Sequence, residues 1–153
     1  MTKPPLLAPA GTPGGLATPG DLVDLDALLA AYDERHPDPG TPGQRVSFGT
    51  SGHCGSALDS TFNDDHIAAI TQAIVEHRAN AGIDGPVLLG KDTHASSAQA
   101  ERTAVEVLSA NGVAVRVQGD HGLTATPIVS RAILAFNEGR ASDDPGRADG
   151  III

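Results

Sequence analysis

From Arg45 to Ile153, short runs of branched apolar residues alternate with longer stretches whose apolar residues recur every three or four positions. A run of the first kind fits a strand buried on both faces, and a stretch of the second kind fits a helix with one buried side. This alternation leaves few architectures open. Strands separated by helices do not close as hairpins, so they line up in parallel and the helices cover the sheet. The expected fold class is α/β, a three-layer sandwich around a mostly parallel or mixed sheet.

Element by element, Arg45–Phe48 reads as a first short strand, followed by a glycine-rich loop. Asn63 is placed to cap the next helix, with Asp64 and Asp65 in its electropositive first turn. Ile67, Ile70 and Ile74 give that helix a buried stripe, and Gly82 ends it. Pro86–Gly90 (PVLLG) is an all-apolar strand. Ser96 and Gln99 have capping-box spacing for a second helix, whose Ala104, Val105 and Leu108 face the core. Asn111-Gly112 stops it, and Val113–Val117 forms the third strand. Thr126 caps a further helix with Pro127 at its first position, where a missing N–H costs nothing. Its apolar face is Ile128, Ala132, Ile133 and Phe136. Ile151, Ile152 and Ile153 form a final strand.

Ahead of this domain (45–153) lie two other segments. Residues 1–20 are rich in Pro, Gly and Ala and read as a flexible arm. Residues 21–44 hold a short amphipathic helix and a Pro-rich connector. Leu22, Leu25, Leu28, Leu29 and Tyr32 recur at helical spacing from Asp21 to Tyr32. The connector, HPDPGTPG from His36 to Gly43, is expected to be extended, because each proline biases its predecessor away from helix.

Composition sets limits. Hydrophobic residues at 40% support a core, but with 3% aromatics and no Trp that core must be Ile, Val, Leu and Ala. A net charge of −9 argues against nonspecific nucleic acid or anionic membrane as partners, since both attract basic surfaces. One Cys allows neither an internal disulfide nor a Cys-rich zinc site, and fits a reducing cytoplasm. Prolines break up MTKPPLLAPAGTPGG, a poor secretory signal. No apolar run approaches the ~20 residues of a membrane helix. The six His show no i, i+4 metal spacing, and His66 and His77 read as exposed side chains, so no metal ligands are expected.

In parallel sheets ligands collect at the carboxyl ends of the strands. That rule points to the loops after Phe48, Gly90 and Val117. The first is FGTSGHCG. Gly49, Gly52 and Gly55 let backbone N–H groups approach an anion, Thr50 and Ser51 add hydroxyls, and His53 adds an imidazole. The same residues also serve a plain turn. A thiol reading of Cys54 with His53 is disfavoured, because neighbours on an extended segment point apart. The second loop, GKDTH, places Lys91, Asp92, Thr93 and His94 at one strand exit. Lys91 either meets an anion with Asp92 orienting the loop, or the loop simply leads into the next helix. In the third, TATP, helix capping already accounts for Thr126 and Pro127.

Taken in order, FGTSGHCG, the Asn63 helix, GKDTH, NGVAVRVQ, TATP and ADGIII resemble the start of bacterial phosphoglucomutases, of the α-D-phosphohexomutase superfamily. The resemblance runs from about Leu22 to Ile153. It implies an incomplete first domain of a four-domain enzyme. In that family a phosphoserine exchanges its phosphoryl group with glucose 1-phosphate or glucose 6-phosphate through a glucose 1,6-bisphosphate intermediate, beside a Mg2+ held by a second domain. By resemblance, Thr50, Ser51, Gly52 and His53 match the first substrate-binding loop, with Lys91, Asp92 and His94 in the second and Thr126 and Pro127 in the third. The family's phosphoserine lies in a Ser-His-Asn-Pro loop just past the position of Ile153, so no catalytic residue is assigned here. Two residues depart from the family pattern: Cys54 replaces an Arg, and Ala125 a Pro. The resemblance therefore implies a phosphoglucomutase fragment without mutase activity or bound cofactor of its own. The alternative is a non-enzymatic, shortened or decayed gene product with at most weak phosphosugar binding or an interaction role, including self-association through its sheet. A thiol enzyme using Cys54 ranks last.

Overall fold

The computed structural model describes residues 12–153; of the expected arm, residues 1–11 lie outside the described residues. The elements are α1 (Leu25–Glu34), α2 (Asp64–Ala81), β1 (Val87–Gly90), α3 (Ser97–Ala110), β2 (Val115–Val117), α4 (Thr126–Phe136) and β3 (Asp149–Ile152). The three strands form a parallel sheet in the order β2-β1-β3, with Val87 opposite both Val115 and Asp149. The most apolar strand, β1, takes the centre.

Because side chains alternate along a strand, each face of the sheet has its own set. Leu89, Val115, Val117, Ile151 and Ile153 join Leu28, Ala31 and Tyr32 of α1, Ile67 of α2 and Ala100 and Ala104 of α3 in one core cluster. The opposite face carries Gly90 and Gly150 under α4. A Cβ on Gly90 would come 2.5 Å from Val129, and one on Gly150 would come 2.7 Å from Ile133 and 2.8 Å from the Leu88 carbonyl. These two glycines let α4 approach the sheet closely. The result is three layers, with α1, α2 and α3 on one face and α4 on the other.

Several local expectations are corrected. Arg45–Phe48 is not a strand; only Phe48 makes a bridge, to His53. The chain before it is tied to α2, because the Gln44 carbonyl accepts from His66. The connector turns instead of running extended. The Asp38 carboxylate takes the N–H of Gly40 and the hydroxyl of Thr41, and Pro42–Gln44 form a 3-10 turn. Asp24 caps α1, three residues later than expected, and Leu22 and Leu25 are left exposed. Asn63 sits at the start of α2 but spends its side chain on the Arg35 carbonyl and His66. Gln99 reaches across to Leu29 and Asp33 of α1, so no capping box forms at Ser96. Ala125 takes the cap position of α4, and Val129 is its buried residue while Ile128 is 59% exposed. His66 is buried at 2% exposure, against the expectation of an exposed ring.

Candidate functional site

The carboxyl ends of the strands open onto a cleft of about 560 Å³. Its apolar lining comes from Ile67, Ile70 and Ile74 of α2, Ile151 and Ile152 of β3, and Ile153 just after it. Its rim is polar: Ser51, Gly52, His53 and Cys54 on one side, Asp92, His94 and Ser97 on another. The chain order alone did not place the α2 stripe here. Its isoleucines line the cleft, and Arg78 of the same helix bonds Asp149 of β3, one of the two edge strands.

The first loop is a tight turn. The Gly49 N–H donates to the Gly52 carbonyl at 2.9 Å, and Gly52 adopts φ 131°, a region open to glycine. Phe48 and His53 face each other across it. His53 turns inward, with Nδ1 3.1 Å from the Ser47 carbonyl and its ring stacked between Phe62 at 6.0 Å and His66 at 5.1 Å. Its Nε2 is buried without a partner. Such an atom is costly unless something bonds it. Cys54, one residue on, is exposed. With His53 Nδ1 at the Ser47 carbonyl and Nε2 buried, neither ring nitrogen is arranged as a base for the exposed thiol. Thr50 and Ser51 stay exposed at the turn's tip.

The second loop divides its roles. Asp92 accepts from the His94 N–H and the Ser97 hydroxyl, each at 2.8 Å, and these bonds hold its carboxyl below the usual range, the backbone bond contributing most. Its own N–H donates to the Ile153 carbonyl at 2.8 Å, which fastens this loop to the end of the last strand. Lys91 behaves differently from the expected anion ligand. It is 7% exposed, and its Nζ donates to Glu101 Oε1 at 2.9 Å. Glu101, itself 3% exposed, also receives His121 Nδ1 at 2.8 Å. The ammonium turns inward because a buried carboxylate without a cation would be far costlier than the pair. The structure therefore brings Ser51, Gly52 and His53 together at the cleft and directs Lys91 away from it.

The third loop holds Asp120 and His121 in left-handed backbone, φ 55° and 50°. That conformation is uncommon for residues with a Cβ. It delivers His121 to Glu101. Glu101 and His121 meet across 20 positions, and His66 reaches the Gln44 carbonyl across 22, so these contacts had no mark in the local sequence.

Comparisons agree with this geometry. The family described as phosphoglucomutase/phosphomannomutase, alpha/beta/alpha domain I, matches residues 45–153. A curated phosphoglucomutase from Komagataeibacter xylinus is 51% identical over 150 residues, covering 97% of this chain and 26% of that protein. The chain thus spans about a quarter of that relative's length. With a three-layer parallel α/β fold and a match over most of its residues, the protein belongs to the phosphoglucomutase/phosphomannomutase family and corresponds to its α/β/α first domain.

Proposed function

We propose that this chain supplies one wall of a phosphoglucomutase site, interconverting glucose 1-phosphate and glucose 6-phosphate in the whole enzyme. One observation carries the reading. A glycine turn with hydroxyl donors and an unpartnered imidazole nitrogen stands on the rim of a cleft at the carboxyl ends of parallel strands. In this proposal Thr50 and Ser51 donate hydroxyls to a sugar phosphate, Gly52 lets the backbone approach, and the His53 ring backs the turn, its buried Nε2 reaching a ligand only when the ring rotates outward. Lys91 enters by neutralising Glu101 beneath the site. Asp92, through Ser97 and Ile153, keeps the second loop in place.

Phosphoryl transfer is catalysed largely by positioning and charge neutralisation, and this wall offers positioning. Among the described residues no three His, Cys, Asp or Glu side chains converge as metal ligands. These residues do not fit the Mg2+ of the family, and no step is derived through it. The 153 residues contain no Ser-His-Asn-Pro stretch to carry a phosphoryl group. A coupled assay on the pure chain is expected to show no conversion of glucose 1-phosphate; measurable turnover would overturn that expectation. Calorimetric titration with glucose 1,6-bisphosphate tests the wall itself. Cys54→Arg adds a fork of charged donors to the rim and is expected to tighten binding roughly tenfold. No binding by either form would remove the phosphosugar reading.

A second reading has its own observation. β3 is an edge strand beside an isoleucine-lined cleft, with Ile152 44% exposed. Free strand edges next to apolar surface pair with other chains. Self-association through β3 predicts a concentration-dependent mass in sedimentation; a monomer at all concentrations would count against it.

A further inference from the structure

His66 lies one ring behind the cleft, and both its nitrogens face acceptors. Nδ1 is 2.7 Å from Asn63 Oδ1, and Nε2 is 2.8 Å from the Gln44 carbonyl. The Asn63 amide is oriented independently, because its Nδ2 donates to the Arg35 carbonyl. Neither acceptor has a proton to give. A neutral imidazole has one N–H, so it would press a bare nitrogen lone pair against an oxygen at one of these contacts. The doubly protonated ring satisfies both. At 2% exposure, bulk water does not relieve the conflict.

The surroundings accommodate a cation. Asp64 and Asp65 share the first turn of α2 with His66 and offset the positive field of the helix start. Asp64 accepts from Thr103, and Asp65 pairs with His36. On its cleft side the His66 ring stacks on His53 at 5.1 Å and 23°. His53 in turn lines the cleft. Charge on both stacked rings would be repulsive, which leaves it on the inner one.

We propose that His66 is a buried imidazolium that gives the rim loop a fixed positive charge and biases the cleft toward phosphate dianions. This rests on the phosphosugar reading above. Where Cys54 leaves the rim without a permanent cation, His66 retains one a ring deeper. Burying it costs desolvation, which two charge-assisted hydrogen bonds offset. An anion at Ser51 and Gly52 would offset it further, because charges interact more strongly across a poorly solvated site.

Two measurements decide the matter. Long-range proton–nitrogen spectra of the 15N-histidine-labelled chain at neutral pH should show both His66 ring nitrogens as N–H nitrogens. One proton-free nitrogen on that ring would overturn the proposal, and no variant is needed. Titration with glucose 1,6-bisphosphate should then show His66→Gln binding roughly tenfold more weakly at low salt, with the difference shrinking at high salt. An unchanged affinity in a folded His66→Gln chain would overturn the electrostatic role. A native chain that binds no bisphosphate would sink the phosphosugar reading and that role together, while the spectrum still reports the charge of the ring.

Discussion

Glu101 is a buried carboxylate whose single oxygen Oε1 receives both Lys91 and His121. Removing one partner of such a pair leaves the other buried and uncompensated. Glu101→Leu is therefore expected to destabilise the chain by about 3–5 kcal/mol, read as a lower urea midpoint. Adding Lys91→Met should recover most of the loss, since an apolar pair replaces the ionic one. A single variant as stable as the native chain would show that the pair contributes nothing. At this scale the residues at the strand exits were legible, because glycines and hydroxyls advertise a turn at the end of an apolar run. The partner of Lys91 was not. A Glu on a helix gives no sign in sequence that its side chain points inward.

Helices α1, α2 and α3 are joined by a chain of hydroxyls. The buried Tyr32 hydroxyl meets Thr103 at 3.1 Å, and Thr103 donates to Asp64 at 2.5 Å. Burial pushes the Tyr32 phenol up to about 12; the Thr103 bond opposes this and the Asp64 charge adds to it. The folded value lies above the ordinary 10.0, so the folded state holds this proton more tightly than the unfolded one. The stabilisation is full below pH 10 and is lost as pH rises toward 12. Tyr32→Phe should remove that part of the alkaline loss, so that its stability falls less between these limits in pH-dependent denaturation; a parallel decline would refute the assignment. On the other face, Gly90→Ala drives a methyl to 2.5 Å from Val129. It is expected to cost about 1–3 kcal/mol, and Val129→Ala should rescue part of it. Thermal melts of the single and double variants check this. Helix existence was legible at this scale from periodicity. The caps of α1 and α4 fell at Asp24 and Ala125, off the expected positions, while Asn63 and Ser96 kept theirs without a capping side-chain bond, Asn63 and Gln99 being drawn to long-range partners.

The molecule as a whole depends on a segment outside the matched family region. Leu28, Ala31 and Tyr32 of α1 belong to the same core cluster as Leu89, Ala100 and Ala104, and Asp33 pairs with Arg102 at 2.8 Å. A chain starting at Arg45 would uncover that surface. Its melt is expected to be broad and its dye-binding apolar surface larger than that of the full chain; an equally sharp transition would show that α1 is dispensable. The sequence by itself determined the three-layer α/β fold, the order of its elements from Asn63 onward and the glycine turn at the first loop. Those features follow from local periodicity and backbone sterics, which a few neighbouring residues specify. Only the tertiary structure decided which face of α2 lines the cleft, that Val46 and its neighbours stay off the sheet, that Lys91 pairs inward, and that His66 lies buried between two acceptors. Each of these depends on groups about 10 to 70 positions apart meeting in a space where unpaired polar atoms and charges are too costly to leave, and no local pattern encodes such a meeting.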